Sequence, residues 1–106
     1  MTKVVFRRDA EGMISSVDIL GHAGYADEGE DIVCAAITSA VQLAHIMLND
    51  MMGLVFDTVV EQEGAHIAMD FSDDVREAAQ NVLEALQMHY REMQENYPEF
   101  IQVTEV

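Results

Sequence analysis

Residues 21–41 read GHAGYADEGEDIVCAAITSAV and contain the chain's single cysteine, Cys34, twelve positions after the first of four histidines, His22. Thiol and imidazole together are the smallest side-chain set for nucleophilic acyl transfer. The thiolate attacks a carbonyl while the imidazole takes up and returns the proton. Asp31 suits a helix N-cap, which places Ile32 at the first helical position and Cys34 in the first turn. Unpaired amides and the positive end of the helix dipole favour an anion there, and so favour a thiolate. Glu30 and Asp31 act in the opposite sense through like charge.

The base has to come from within reach. His45 shares nearly the same helical face as Cys34 but stands eleven residues on, roughly 16 Å along the axis. His66 opens an expected strand and His89 falls late in a second helix, so neither is tied to Cys34 by the sequence. His22 is separated from Cys34 by loop, and Gly21, Gly24 and Gly29 let that loop turn back as hinges. The bland alternative is a small buried thiol with no chemistry. A metal centre is not expected. One Cys and one His lack zinc-ligand spacing. The acids at 27, 28, 30 and 31 fail the calcium-loop pattern, since Gly29 comes too early and Thr38 stands at the twelfth position. No cofactor is implied.

The surrounding elements must position these residues. VVFRR at 4–8 and MISSVDIL at 13–20 flank a turn at 11–12 and read as a hairpin. From Ile32 the period becomes helical. Ile32, Ala36, Leu43 and Met47 form one stripe and Val33, Ile37, Ala40, Ala44 and Leu48 a neighbouring one, which predicts a central helix ending near Gly53. LVFDTVVEQE at 54–63 and HIAMDF at 66–71 read as a second hairpin. Ser72 or Asp73 caps a second helix whose Val75, Ala79, Val82, Leu83, Leu86 and Tyr90 face the core. Pro98 stops it, and FIQV at 100–103 is a last strand. The order β-β-α-β-β-α-β predicts one α+β domain over 1–106, a two-layer sandwich with a mixed or mostly antiparallel sheet and both helices on one face.

Charge narrows the partners. Twenty acids against five Lys and Arg give a formal net charge of −15 over 106 residues. Such a chain repels nucleic acid and anionic membranes. The acidity serves either solubility or a basic partner. No apolar run of membrane-spanning length free of polar breaks is expected, the charged start does not suit a signal peptide, and one cysteine excludes an internal disulfide; the expectation is a cytoplasmic protein.

GHAGY followed by GEDIVCAAI resembles the signature of the ribosomal-processing cysteine protease family, Prp. There a G-H-A segment, a glycine-containing loop and D-I-V-C-A-A-V-S occur in that order. The resemblance covers the whole chain, including a Tyr97-Pro98 pair near the C-terminus. It implies that His22 and Cys34 are the catalytic pair. It also implies that the substrate is the twenty-seventh large-subunit ribosomal protein, a basic protein whose short N-terminal extension is removed after an aromatic residue, and that a homodimer is possible. Thr38 replaces the family's usual Ser, with Ser39 next, and MMG at 51–53 replaces the usual N-G.

On this reading Cys34 is nucleophile, His22 general base and acid, and amides at the start of the Cys34 helix are oxyanion-hole candidates. Asp31 either caps the helix or orients His22, and Thr38 either bonds the Cys34 carbonyl or packs. The loop at 21–31 offers no evident apolar contact, so it is expected to act as a lid that brings His22 to Cys34 on substrate binding. Two rivals stand beside this: a non-catalytic acidic module for a basic ribosomal protein with Cys34 structural, and a redox-sensing thiol.

Overall fold

The computed structural model describes residues 1–27 and 31–106; Gly29, one of the three expected hinges, lies outside them. Five strands and two helices follow in the expected order: β1 (Thr2–Arg8), β2 (Ile14–Leu20), α1 (Ile32–His45), β3 (Asp57–Glu61), β4 (His66–Asp70), α2 (Asp73–Asn96) and β5 (Ile101–Glu105). The sheet runs β3-β4-β2-β1-β5. Every pairing is antiparallel except β1 with β5, so the sheet is mixed.

Register assigns the faces. Val4 opposes Ile19 and Phe6 opposes Val17 on one side, Thr2 opposes Ile101 and Val4 opposes Val103 on the other, and Met69 continues the row beyond Val17. These residues are buried together with Val33, Ile37, Val41, Ala44 and Leu48 of the first helical segment and Ala79, Leu83, Leu86, Tyr90 and Met93 of α2. Both helices therefore pack on one face of the sheet, as the sequence pattern predicts. Tyr90 ties them together by donating its hydroxyl to the Ile37 carbonyl at 2.6 Å.

Three local readings need correction. The stripe Ile32, Leu43, Met47 is not central: Ile32 is 57 % and Leu43 60 % exposed, and only the neighbouring stripe faces the core. Helical spacing shows that two apolar faces exist, but not whether this chain supplies a cover for both. The strand expected from residue 54 begins at Asp57. The first helix does end at Gly53, at φ +70°, as the sequence predicts, after a wider π-helical turn over Ile46–Met51. The resulting helix, Ile32–Met51, is long and apolar enough to cross a membrane by length and composition, contrary to the expectation, yet its inward stripe is packed in the core.

Candidate active site

The helix carrying Cys34 begins where the sequence places it. Asp31 is the N-cap, and its Oδ1 accepts the amides of Val33 and Cys34 at 2.9 Å each. Its other oxygen accepts the Tyr25 amide at 2.9 Å and the Ala26 amide at 3.5 Å. One nearly buried carboxylate thus joins the helix start to the loop that follows β2. Burial pushes the Asp31 carboxyl up, but the amides of Cys34, Tyr25 and Ala26, and then the Cys34 thiol, outweigh it and hold the group below its ordinary value. Of the two roles considered, capping is the one observed; no hydrogen bond joins Asp31 to the His22 ring among the described residues.

Those capping bonds also correct the oxyanion expectation. The amides of Val33 and Cys34 are engaged by the Asp31 side chain, and that of Ala35 by the Asp31 carbonyl at 3.0 Å. The amide aimed at the sulfur comes from the loop. Ala23 N–H donates to Cys34 Sγ at 3.0 Å. Backbone donors carry no sequence signature, so this one was invisible beforehand. The Thr38 hydroxyl makes no bond to the Cys34 carbonyl among the described residues; the side chain packs half-buried in the cleft wall.

His22 leaves β2 on a backbone held from several sides. Gly21 adopts φ +87° and Gly24 φ +78°, conformations that suit glycine and turn the chain back toward α1. Gly21 N–H donates to the Ala65 carbonyl at 2.8 Å, and its carbonyl accepts the Thr2 hydroxyl at 3.3 Å. Ala23 is buried. Tyr25, expected to float, sets its ring edge-on against Phe100 at 5.2 Å and Tyr97 at 5.9 Å. The expectation that this segment lacks apolar anchorage is therefore overturned at Tyr25. Among the described residues no hydrogen bond links the His22 ring to Cys34 Sγ, whose one hydrogen bond there comes from Ala23 N–H.

Both side chains open onto the same space. A cleft of about 850 Å³ runs from His22 and Cys34 along α1 toward His45, walled by Ile19, Ile67 and Val60 of the sheet. A smaller hollow of about 450 Å³ on the loop side shares His22, Cys34, Thr38 and Gln42 with it and adds Asp31 and Ala35. So the structure brings His22, Cys34, Asp31, Thr38, Gly21 and Gly24 to one place. The wall contributed by α1 is a line the sequence reading passed over. Cys34, Thr38, Gln42 and His45 recur at helical spacing and form its polar seam. His45 closes the far end, its Nε2 3.3 Å from Thr58 Oγ1 and its ring edge-on to Phe56. His66 also lines the cleft and pairs with Asp18 at 3.0 Å, while His22 is the histidine that lines both the cleft and the smaller hollow with Cys34. No group of three or more His, Cys, Asp or Glu able to hold a metal occurs among the described residues.

Comparison with known proteins now adds to this geometry. The family model described as "Cysteine protease Prp" matches residues 1–102. This chain belongs to the cysteine protease Prp family. A ribosomal processing cysteine protease Prp of Bacillus subtilis (strain 168) is 25 % identical over 108 residues, covering 98 % of this chain and 96 % of its own. The one from Staphylococcus aureus (strain Mu50 / ATCC 700699) is 30 % identical over 96 residues, covering 88 % of each. The crystal structure of the S. aureus Prp "in complex with a covalently linked product Peptide" superposes with a TM-score of 0.86 at 26 % identity and covers all of both chains. As a Prp-family member the chain is a cysteine protease with an α+β fold of mixed sheet and two helices.

Proposed function

We propose that this chain is an endopeptidase that removes the N-terminal extension of a basic large-subunit ribosomal protein, the twenty-seventh, with Cys34 as nucleophile and His22 as general base and acid. The observation that carries the proposal is the convergence of both side chains on one cleft, with the Ala23 amide 3.0 Å from Sγ. The relatives' description as ribosomal processing enzymes supports the substrate class. A covalently linked product peptide in the S. aureus protein supports covalent catalysis.

The steps follow from the residues. His22 takes the thiol proton and Cys34 Sγ attacks the scissile carbonyl carbon, forming a tetrahedral oxyanion near the Ala23 N–H. The intermediate collapses, the C–N bond breaks, and the amine leaves with the proton held by His22. Water, deprotonated by His22, then hydrolyses the thioester and releases the acid product. The sheet side of the cleft presents Ile19, Val60 and Ile67, which suits an aromatic or aliphatic residue near the scissile bond. A net charge of −15 would draw a basic substrate toward it.

The test is mass spectrometry of the precursor ribosomal protein after incubation with the purified chain. A single cut behind an aromatic residue is expected. Cys34→Ala and His22→Ala are each expected to lower kcat/KM by at least about 10³-fold. Tight binding of the precursor without any cut would favour the acidic binding module instead.

A further inference from the structure

Two parts of the sequence, Tyr25 in GHAGY and the Tyr97-Pro98 pair, lie 72 residues apart and have no task in the mechanism above. In the fold they meet. The Tyr25 ring stands edge-on to Tyr97 (interplanar angle 85°) and to Phe100 (75°). The turn presenting those two rings is itself fixed. Tyr97 N–H donates to the Met93 carbonyl at 2.8 Å, and Phe100 and Ile101 donate to the Tyr97 carbonyl at 2.9 and 3.2 Å. Thr2 N–H donates to the Phe100 carbonyl at 2.9 Å, so the turn is bonded to the start of β1.

We infer that Tyr25 is a positioning residue, a latch whose ring, seated against Tyr97 and Phe100, holds the His22 and Ala23 backbone in register with Cys34. The inference rests on the protease reading of this site. Its logic is mechanical. The segment is gripped at Gly21 by Thr2 and Ala65 and at Tyr25 by the two rings and the Asp31 carboxylate. Between the grips stand His22 and the Ala23 amide that bonds Cys34 Sγ. Gly21 and Gly24, both at positive φ, are the pivots of that short span. With one grip lost, the span swings on its glycines, and both the imidazole and the amide leave their places. Tyr25 is 44 % exposed and outside the buried core, so its ring serves the loop more than global stability. No hydrogen bond of its hydroxyl is among those of the described residues, so the ring is what matters.

Four variants test the latch: Tyr25→Ala, Tyr25→Phe, Phe100→Leu and the double Tyr25→Ala/Phe100→Leu, with Cys34→Ala in parallel. Two readouts are taken, steady-state cleavage of a precursor peptide and the rate of Cys34 alkylation by iodoacetamide at neutral pH, with circular dichroism melts to confirm folding. Tyr25→Ala is expected to lower kcat by about 10- to 100-fold, as misplacement of a reacting group does. KM should change by less than about threefold, since substrate-binding surface is retained. Tyr25→Phe should restore kcat and the alkylation rate. Phe100→Leu should show a smaller loss, and the double variant should be no worse than Tyr25→Ala, because both remove one contact. Wild-type kcat in Tyr25→Ala, failure of Phe to restore it, or losses that add in the double variant would overturn the latch. If Cys34→Ala still cuts, the protease reading fails separately. The latch then stands or falls on whether Tyr25→Ala alters the alkylation rate while Tyr25→Phe does not.

Discussion

The two helices begin in opposite ways. At α2, Ser72 makes no side-chain bond to the helix backbone; its hydroxyl turns to Asp74, and Asp73 and Asp74 put their negative charges in the first turn. Arg76 then joins that turn to the β1–β2 hairpin through Asp9 at 3.0 Å. At α1 the first turn holds no acid, the cap carboxylate lies just outside it, and Cys34 is the third residue of the helix. A helix N-terminus favours one negative charge. In α2 the acids of the first turn supply it, whereas at α1 the Asp31 cap carboxylate does.

Their exposed faces differ as well. The outward face of α2 carries Glu77, Glu92 and Glu95, whereas that of α1 carries Ile32, Leu43, Met47 and Met51. One helix therefore bears much of the charge and the other an exposed apolar stripe.

The largest effect should come from the buried side of the contrast. Leu83→Ala in α2 is expected to cost about 2–5 kcal/mol in urea unfolding, and Leu43→Ala in α1 less than about 0.5 kcal/mol. A Leu43 cost approaching that of Leu83 would show that the outer stripe of α1 is covered in solution, as in a homodimer, and sedimentation velocity would then report the dimer. Next come the caps. Asp31→Ala is expected to cost about 1–2 kcal/mol and to lower kcat, because it removes the cap and releases Tyr25 and Ala26. Ser72→Ala is expected to stay within about 0.5 kcal/mol, having no backbone bond to lose. Equal costs at the two caps would erase the comparison.

Acid titration sharpens the same point. The Asp31 carboxyl is depressed in the folded state, so the stability it contributes is present above its unfolded value of about 3.9. That contribution is lost as pH falls through the folded value. Urea midpoints measured from pH 7 to pH 3 should therefore fall less steeply on acidification in Asp31→Asn than in the parent chain. A parallel fall in both would show that Asp31 does not carry the linkage. The smallest effect concerns charge. Glu92→Gln together with Glu95→Gln on α2 should lower kcat/KM for a basic substrate by less than about threefold at low salt, and by nothing at 1 M, where the Debye length is ~3 Å. A salt-independent rate in the parent chain would assign the acidity to solubility.

The sequence by itself determined a good deal. Alternation and turn residues gave the strands, helical periodicity and caps gave both helices, and Asp31 just before an apolar run gave the position of Cys34 in the first turn. These are local signals, each written within a few consecutive residues, and the GHAGY and DIVCAAI segments added the family. Only tertiary structure decided the rest. Which stripe of α1 is buried depended on where the sheet lies. The bond from Ala23 N–H to Cys34 Sγ depended on a backbone donor that any residue could supply. The meeting of Tyr25 with Tyr97 and Phe100 depended on the parallel pairing of β5 beside β1, which carries the end of α2 to the loop after β2. Contacts between residues far apart in sequence leave no periodicity to read, because neither partner's local pattern records where the other will be.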